Sequence, residues 1–209
     1  MRVTWLLVIS GLIVGMSTVA ASEEPMAQTG ATAHTEQATF AGGCFWCVQP
    51  PFQNLTGVLS VTSGYTGGTT VNPTYEAVSS GRTGHVEAVH VIYDPARVTY
   101  DQLLDLFWRN INPTQANGQF VDHGSQYHSV IFYHTEEQHR LAEASRARLA
   151  SSGKFTDPIV TDIRPATAFY PAEDYHQDYY RKNALGYKMY RAGSGRDSFL
   201  RKIWGSADH

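Results

Sequence analysis

Residues 37–54 read QATFAGGCFWCVQPPFQN, and this stretch sets the pattern for the whole chain. Gln37 to Ala41 is a short strand candidate that Gly42-Gly43 brings to an end. From Cys44 to Asn54 the apolar residues fall on a helical period, so a strand passes through a glycine turn directly into a helix. Pro50-Pro51 lies inside that helix. A proline there lacks the N–H of the helical ladder and crowds the carbonyl four residues back, so a bend or restart is expected.

Working outward, Val58 to Ser63 reads as a second strand. Gly64 to Gly84 is rich in Gly, Thr, Ser and Pro and reads mostly as loop, with one helical turn at Tyr75 to Val78. His85 to Tyr93 is the clearest strand. Val86, Ala88, His90 and Ile92 face one side of it, and His85, Glu87, Val89, Val91 and Tyr93 the other. Tyr100 to Asn110 carries a helical stripe of Leu103, Leu104, Phe107 and Trp108. A polar loop through Asn112-Pro113-Thr114 leads to a fourth strand, Ser129 to Tyr133. Thr135 then caps a helix with Glu136 and Glu137 in its first turn and Arg146 and Arg148 near its end, and Gly153 stops it. Ile159 to Ile163 is an edge strand. The remainder, rich in Tyr, Lys and Arg, reads as a surface-wrapping tail with short helices near Glu173 to Lys182 and Ser198 to Trp204. This order predicts an α+β two-layer sandwich: a ferredoxin-like split βαβ core, a mixed sheet and a long C-terminal coil.

The 209 residues, 42% hydrophobic and 17% charged, suit one domain with a sizeable core. Net charge is -3 with Lys and Arg scattered, so no basic stripe points to nucleic acid. Arg2, the apolar run Trp5 to Val14 and the small-residue stretch Ser17 to Ala21 follow the order of a secretory signal, with cleavage after Ala21. The run is shorter than the ~20 residues of a membrane span, so an uncleaved anchor or a lipid-associated tail is the weaker reading. The expected organisation is a signal peptide over 1–21, a flexible linker over 22–36 and a single catalytic domain over 37–209, exported to the periplasm or secreted.

Cys44 and Cys47 are the only cysteines. A bridge between them closes almost no loop and would restrict the unfolded chain little, so redox chemistry or half a metal site is the better reading. Cys44 follows two glycines and opens a helix, where backbone N–H groups and the helix dipole favour thiolate. Cys47 lies one turn on, on the same face. Phe45 and Trp46 either pack in the core or wall the sulfur with apolar surface suited to a methyl on sulfur. Glu87 sits among Val86, Ala88 and Val89. Unless it lies at an exposed strand end, it is paired or protonated there, and a protonated buried Glu is a proton donor. Tyr65 and Tyr127 lie in glycine-rich segments that can aim a phenol into a cleft, although either alone is more often a packed Tyr. His85, His90 and His176 read by default as hydrogen-bonded structural groups, with His176 also a candidate to orient a site group.

Together these motifs resemble one family. Gly43-Cys44-Phe45-Trp46, Ser63-Gly64-Tyr65 with Gly67-Gly68, Gly84-His85-x-Glu87 and Asp122-x-Gly124-x-Gln126-Tyr127 occur in the order seen in A-type methionine sulfoxide reductases. Ala172-Glu173-Asp174-Tyr175-His176-Gln177 also looks like theirs, and the likeness runs from about Thr39 to Leu185. It implies that Cys44 attacks the sulfoxide sulfur and Glu87 hydrogen-bonds to and helps protonate its oxygen. Tyr65 and Tyr127 would hold that oxygen, Phe45 and Trp46 would cradle the methyl, and Asp122 matches a site aspartate. It also implies the S epimer as substrate, oxidised methionine-containing proteins and a thioredoxin-like reductant as partners, and no metal or organic cofactor. The chain is expected to act as a monomer. Cys44 would become a sulfenic acid, and Cys47 would close a disulfide for an outside dithiol to reduce.

The chain departs from the family in having no cysteine after Cys47, which leaves either Cys47 as the internal resolver or an external thiol to finish the cycle, in His128 where Arg is frequent, and in Val86 where a smaller residue is usual. Two rival readings are weaker. A zinc module from Cys44, Cys47, His123 and His128 would leave 75 residues between the pairs, against about 12–15 in a finger. A general thiol–disulfide oxidoreductase would have no use for Glu87, Tyr65 and Tyr127 around the sulfur.

Overall fold

Phe40, Val89, Val91 and Tyr93 are wholly buried on two neighbouring strands at the centre of a six-stranded sheet. The structure, a computed structural model, describes Met1, Arg2, Thr4 and residues 34–205. The proposed signal peptide and nearly all of the linker therefore lie outside the described residues. All elements belong to the unit Ala33–His209. They run β1 (Glu36–Gly42), α1 (Phe45–Gln53), β2 (Val58–Thr66), α2 (Tyr75–Ser79), β3 (Val86–Tyr93), α3 (Tyr100–Trp108), β4 (Gly118–Gln119), β5 (Asp122–His123), β6 (Ser129–Tyr133), α4 (Glu136–Ala150), β7 (Asp162–Pro165), β8 (Tyr170–Pro171), α5 (Tyr179–Lys182), α6 (Ala184–Gly193) and α7 (Arg196–Trp204).

The sheet order is β7-β6-β1-β3-β2-β8. Because β3 is antiparallel to both β1 and β2, those two run parallel with β3 between them, which is the split βαβ unit through α1. β3 and β6 flank β1 in the same way, and β7 joins β6 in parallel, so the sheet is mixed as expected. The alternation read along β3 also holds. Val89, Val91 and Tyr93 join Phe40, Phe52, Leu103, Leu104 and Phe107 in the main core, while Val86 and Ala88 pack with Val130 and Phe132 on the opposite face. Phe40 stacks between Phe52 and Phe107 at 5.0 and 5.2 Å, and burying each such ring contributes roughly 1.5–3 kcal/mol. Thr135 caps α4 by accepting from the Gln138 N–H, and Thr99 forms a capping box with Gln102 at α3.

Four local expectations change. α1 runs through Pro50 and Pro51 as one helix, without a restart. The N–H that Pro51 lacks would have met the Cys47 carbonyl, and the Arg191 guanidinium donates to that carbonyl instead, at 3.4 Å. β2 continues to Thr66, because β8 pairs with Gly64 and Tyr65 and gives this end of the strand neighbours on both sides. The edge strand lies at Asp162–Pro165 rather than Ile159–Ile163. The C-terminal tail holds three helices, of which α6 has no counterpart in the sequence reading, and a small β4–β5 hairpin precedes β6.

Gly43 joins β1 to α1 at φ +84°, and a Cβ there would meet the Gln119 Cβ at 2.5 Å. Gly43→Ala is expected to destabilise the chain by about 2 kcal/mol or more in urea unfolding, from left-handed strain and the clash together.

Candidate active site

The glycine turn delivers Cys44 to the N-cap of α1, 7% exposed, and the first helical turn delivers Cys47, 1% exposed; both are free thiols. The first N–H of the helix, on Phe45, donates to Glu87 Oε2 at 3.0 Å. A carboxyl from the middle of β3 thereby caps α1 beside the nucleophile. Glu87 is 2% exposed, and burial pushes its pKa from 4.5 to about 8, with the Phe45 N–H pulling down and Asp122 pushing up. It is therefore mostly a neutral acid at pH 7, as its apolar surroundings in the sequence suggested.

Cys44 corrects the sequence reading in one respect. Burial, then Glu87 and Cys47, push its thiol well above the usual range, and Asp122 adds to this; only the hydrogen bond with Tyr190 works the other way. The helix N-terminus is in place, but its first N–H serves Glu87. In the resting site Cys44 is a thiol.

The phenols are rearranged too. Tyr127, ending a 3-10 turn at Ser125–Tyr127, is raised by burial first and then by Glu87, Tyr75 and Cys44. Tyr75, the first residue of α2, is raised by burial and by Glu87 and Cys44, against a hydrogen bond with Ser79. These mutual influences place Tyr75 and Tyr127 around Glu87 and Cys44. Tyr65 faces Glu87 across the β2–β3 register and lies 6.0 Å from the Phe45 ring, but its hydroxyl is committed to Glu173 Oε2 at 2.8 Å. The other Glu173 oxygen accepts the Tyr75 N–H, also at 2.8 Å. Tyr65 and Glu173 thus form a bracket on α2; Tyr65, Tyr75 and Tyr127 all feel Glu87, while Tyr75 and Tyr127 feel Cys44 as well.

Asp122, in the β4–β5 hairpin, accepts from the Tyr190 hydroxyl at 2.5 Å. Burial raises Asp122, while Tyr190, Arg196 and His123 lower it. Tyr190 was missed because α6 was. Phe45 is buried against His176, ring centroids 5.0 Å apart. Trp46 is half-buried, stacks on Tyr179 at 3.7 Å and donates its indole N–H to His176 Nδ1 at 3.1 Å. His176 must then carry its proton on Nε2, which is buried and without a protein partner. The motif that contains it laces the tail to the core, since the Gln177 amide bonds to the N–H and carbonyl of Ser63. His85 bridges Gly68 N–H and Thr70 O, and His90 bonds to Thr39, so both have structural partners. Among the described residues no three His, Cys, Asp or Glu side chains gather so as to hold a metal.

The family model for peptide methionine sulfoxide reductase matches residues 36–208. The chain belongs to that family. The peptide methionine sulfoxide reductase MsrA of Bacillus subtilis is 57% identical over 171 residues, covering 82% of this chain and 97% of the relative. That of Bacillus licheniformis is 55% identical over 170 residues, covering 81% and 94%. Among solved structures, reduced Mxr1 from Saccharomyces cerevisiae aligns with TM-score 0.68 at 32% identity, over 74% of this chain and 89% of that one. Methionine sulfoxide reductase A of Corynebacterium diphtheriae aligns with TM-score 0.65 at 36% identity, over 75% and 78%. The resemblance read from the motifs is thereby borne out, and so is the α+β fold.

The raised acid has a consequence for this reductase-family fold. The stability that Glu87 contributes is fully present below its unfolded pKa and is lost as pH rises through about 8. Glu87→Gln is therefore expected to gain in melting temperature over the parent between pH 4 and pH 9, measured calorimetrically; a constant difference would contradict the buried neutral acid.

Proposed function

We propose that the chain reduces methionine S-sulfoxide, free and in proteins, to methionine, with Cys44 as the nucleophile. The carrying observation is the Glu87 carboxyl, buried and neutral at pH 7, with one oxygen tied to the N–H next to Cys44. Its other oxygen is left to carry a proton to a sulfoxide oxygen. A sulfoxide sulfur becomes electrophilic only when its oxygen is protonated or strongly hydrogen-bonded. Glu87, with Tyr75 and Tyr127, provides donors without a second negative charge beside the attacking sulfur. Phe45 and Trp46 supply apolar surface for the methyl group, and Asp122 holds Tyr190 against Cys44.

The cycle is thiol-dependent and balances without a cofactor. Cys44 takes the oxygen to become a sulfenic acid, and methionine leaves. Cys47 then displaces that oxygen as water, forming the Cys44–Cys47 disulfide, and an external dithiol of thioredoxin type reduces it. With no third cysteine to relay the disulfide outward, the reductant must act on this pair itself. The order of charge, apolar run and small residues over 1–21 supports export, so we further propose repair of oxidised proteins in the periplasm or outside the cell. Mature protein recovered from the producing cell should start at Ser22 by mass spectrometry.

Mixing reduced protein with excess methionine S-sulfoxide and no reductant should give about one methionine per chain and consume both thiols. No methionine, with turnover of a disulfide substrate instead, would favour the thiol–disulfide oxidoreductase reading. The rate of methionine release should fall as pH rises through about 8, where Glu87 loses its proton. Glu87→Gln should lose roughly 10²–10⁴-fold and that alkaline limb with it. Tyr75→Phe should lower kcat roughly tenfold or more by removing a donor, and Tyr65→Phe distinctly less.

A further inference from the structure

Arg196 is 1% exposed and has no ion pair with a carboxylate among the described residues. Its Nη1 donates to the Asn110 carbonyl and its Nη2 to the Gly42 carbonyl at 3.1 Å, while Nε has no partner. The Phe120 ring covers the guanidinium at 4.5 Å. Without a direct ion pair, this buried cation acts electrostatically on the Asp122 carboxyl and on the Cys47 thiol, and lowers both. Arg191, from α6, acts on the same thiol. Its Nε pairs with Asp197 at 2.8 Å, and its Nη1 donates to the Cys47 carbonyl left free by Pro51. The two guanidiniums thus bear on the turn that carries Cys47 and on the glycine bend before it.

We propose that Arg191 and Arg196 are positioning residues for the resolving step, holding the Cys47 turn and stabilising its thiolate for attack on the Cys44 sulfenic acid. This rests on the reductase reading above. In that step the Cys47 sulfur forms the S–S bond, the S–O bond of the sulfenic acid breaks, and the oxygen leaves as water with one proton from solution and its own. No further oxidant or reductant enters. Cys47 is raised by burial, then lowered by Arg196 and Arg191 and raised by Asp122 and Asp197; Tyr187, Tyr190 and Cys44 also face it. Cys44 meets the Glu87 and Asp122 carboxyls, the Cys47 thiol and the phenols of Tyr75, Tyr127 and Tyr190, with no guanidinium among the groups that shift it. The cations therefore separate two cysteines one helical turn apart, favouring charge on the resolving sulfur and not on the sulfur that faces the Glu87 proton.

The test uses the full chain in single turnover with methionine S-sulfoxide, following methionine release and thiol loss separately across pH. Arg191→Gln should still release about one methionine per chain with loss of one thiol, while loss of the second thiol slows about tenfold near neutral pH and its pH midpoint moves up by about one unit. Arg191→Lys should restore most of both. Equal slowing by Gln and Lys with an unmoved midpoint would mean a structural contact alone and would overturn the proposal, as would unchanged resolution in both. Arg196→Lys, if folded, should resolve faster than Arg196→Gln; the Arg191 pair decides the matter if neither folds. A missing methionine burst would instead sink the underlying reductase reading, whereas a methionine burst with a wild-type Cys47 that stays free would keep that reading and overturn this proposal.

Discussion

The hydrogen bond from the Phe45 N–H to the Glu87 carboxyl is the constraint on which the site depends. It joins the first turn of α1 to the middle of β3 and satisfies one of the open donors of a helix start. It also fixes which oxygen of the acid is occupied and which is left without that bond. A carboxyl in that position would ordinarily be ionised and would favour the helix dipole. Here burial outweighs the dipole and the N–H together, as the direction of the shift shows. The same burial raises Cys44, so acid and nucleophile both rest in their protonated forms. Charge develops only when substrate brings an oxygen to receive the proton.

Around that bond the structure builds in two shells from distant parts of the chain. Tyr65 and Glu173 hold α2 so that Tyr75 reaches the site, and the Gln177 amide pins the returning tail to β2. Asp122 and Tyr190 close the side toward α6. Each of these contacts links residues far apart in sequence, and each is fixed by a side-chain hydrogen bond rather than by regular secondary structure. The scaffold is ordinary split βαβ packing; the specificity lies in the lacing.

The parts legible in the sequence were those with local signals. β3 showed a clean alternation with Glu87 out of place within it, and the strand–glycine–helix passage around Cys44 was plain. Tyr75, Tyr190, Arg191 and Arg196 were not. Arg191 meets Cys47 across 144 residues and Arg196 meets Gly42 across 154, and no periodicity reports such a contact. α6 was hidden for a related reason. None of its residues is fully buried, its Leu185 and Met189 lie exposed, and it docks through Tyr187, Tyr190 and Arg191. The continuous passage of α1 through Pro50 and Pro51 was likewise invisible, because the guanidinium that meets the freed carbonyl comes from α6. Tyr65 read differently in the sequence because Gly64 before it pairs with β8 inside β2, which carries Tyr65 in a strand and not in a loop.

That dependence on the tail has a bearing on how the protein is made. Cys44, Glu87 and Tyr127 lie in the first two thirds of the chain, whereas Glu173, His176, Tyr190, Arg191 and Arg196 lie near its end. A chain synthesised from its N-terminus therefore carries both thiols and the acid long before their cover exists. The catalytic centre is complete only when these last helices have docked, so the folding of the tail is itself the event that turns two exposed thiols into a covered pair.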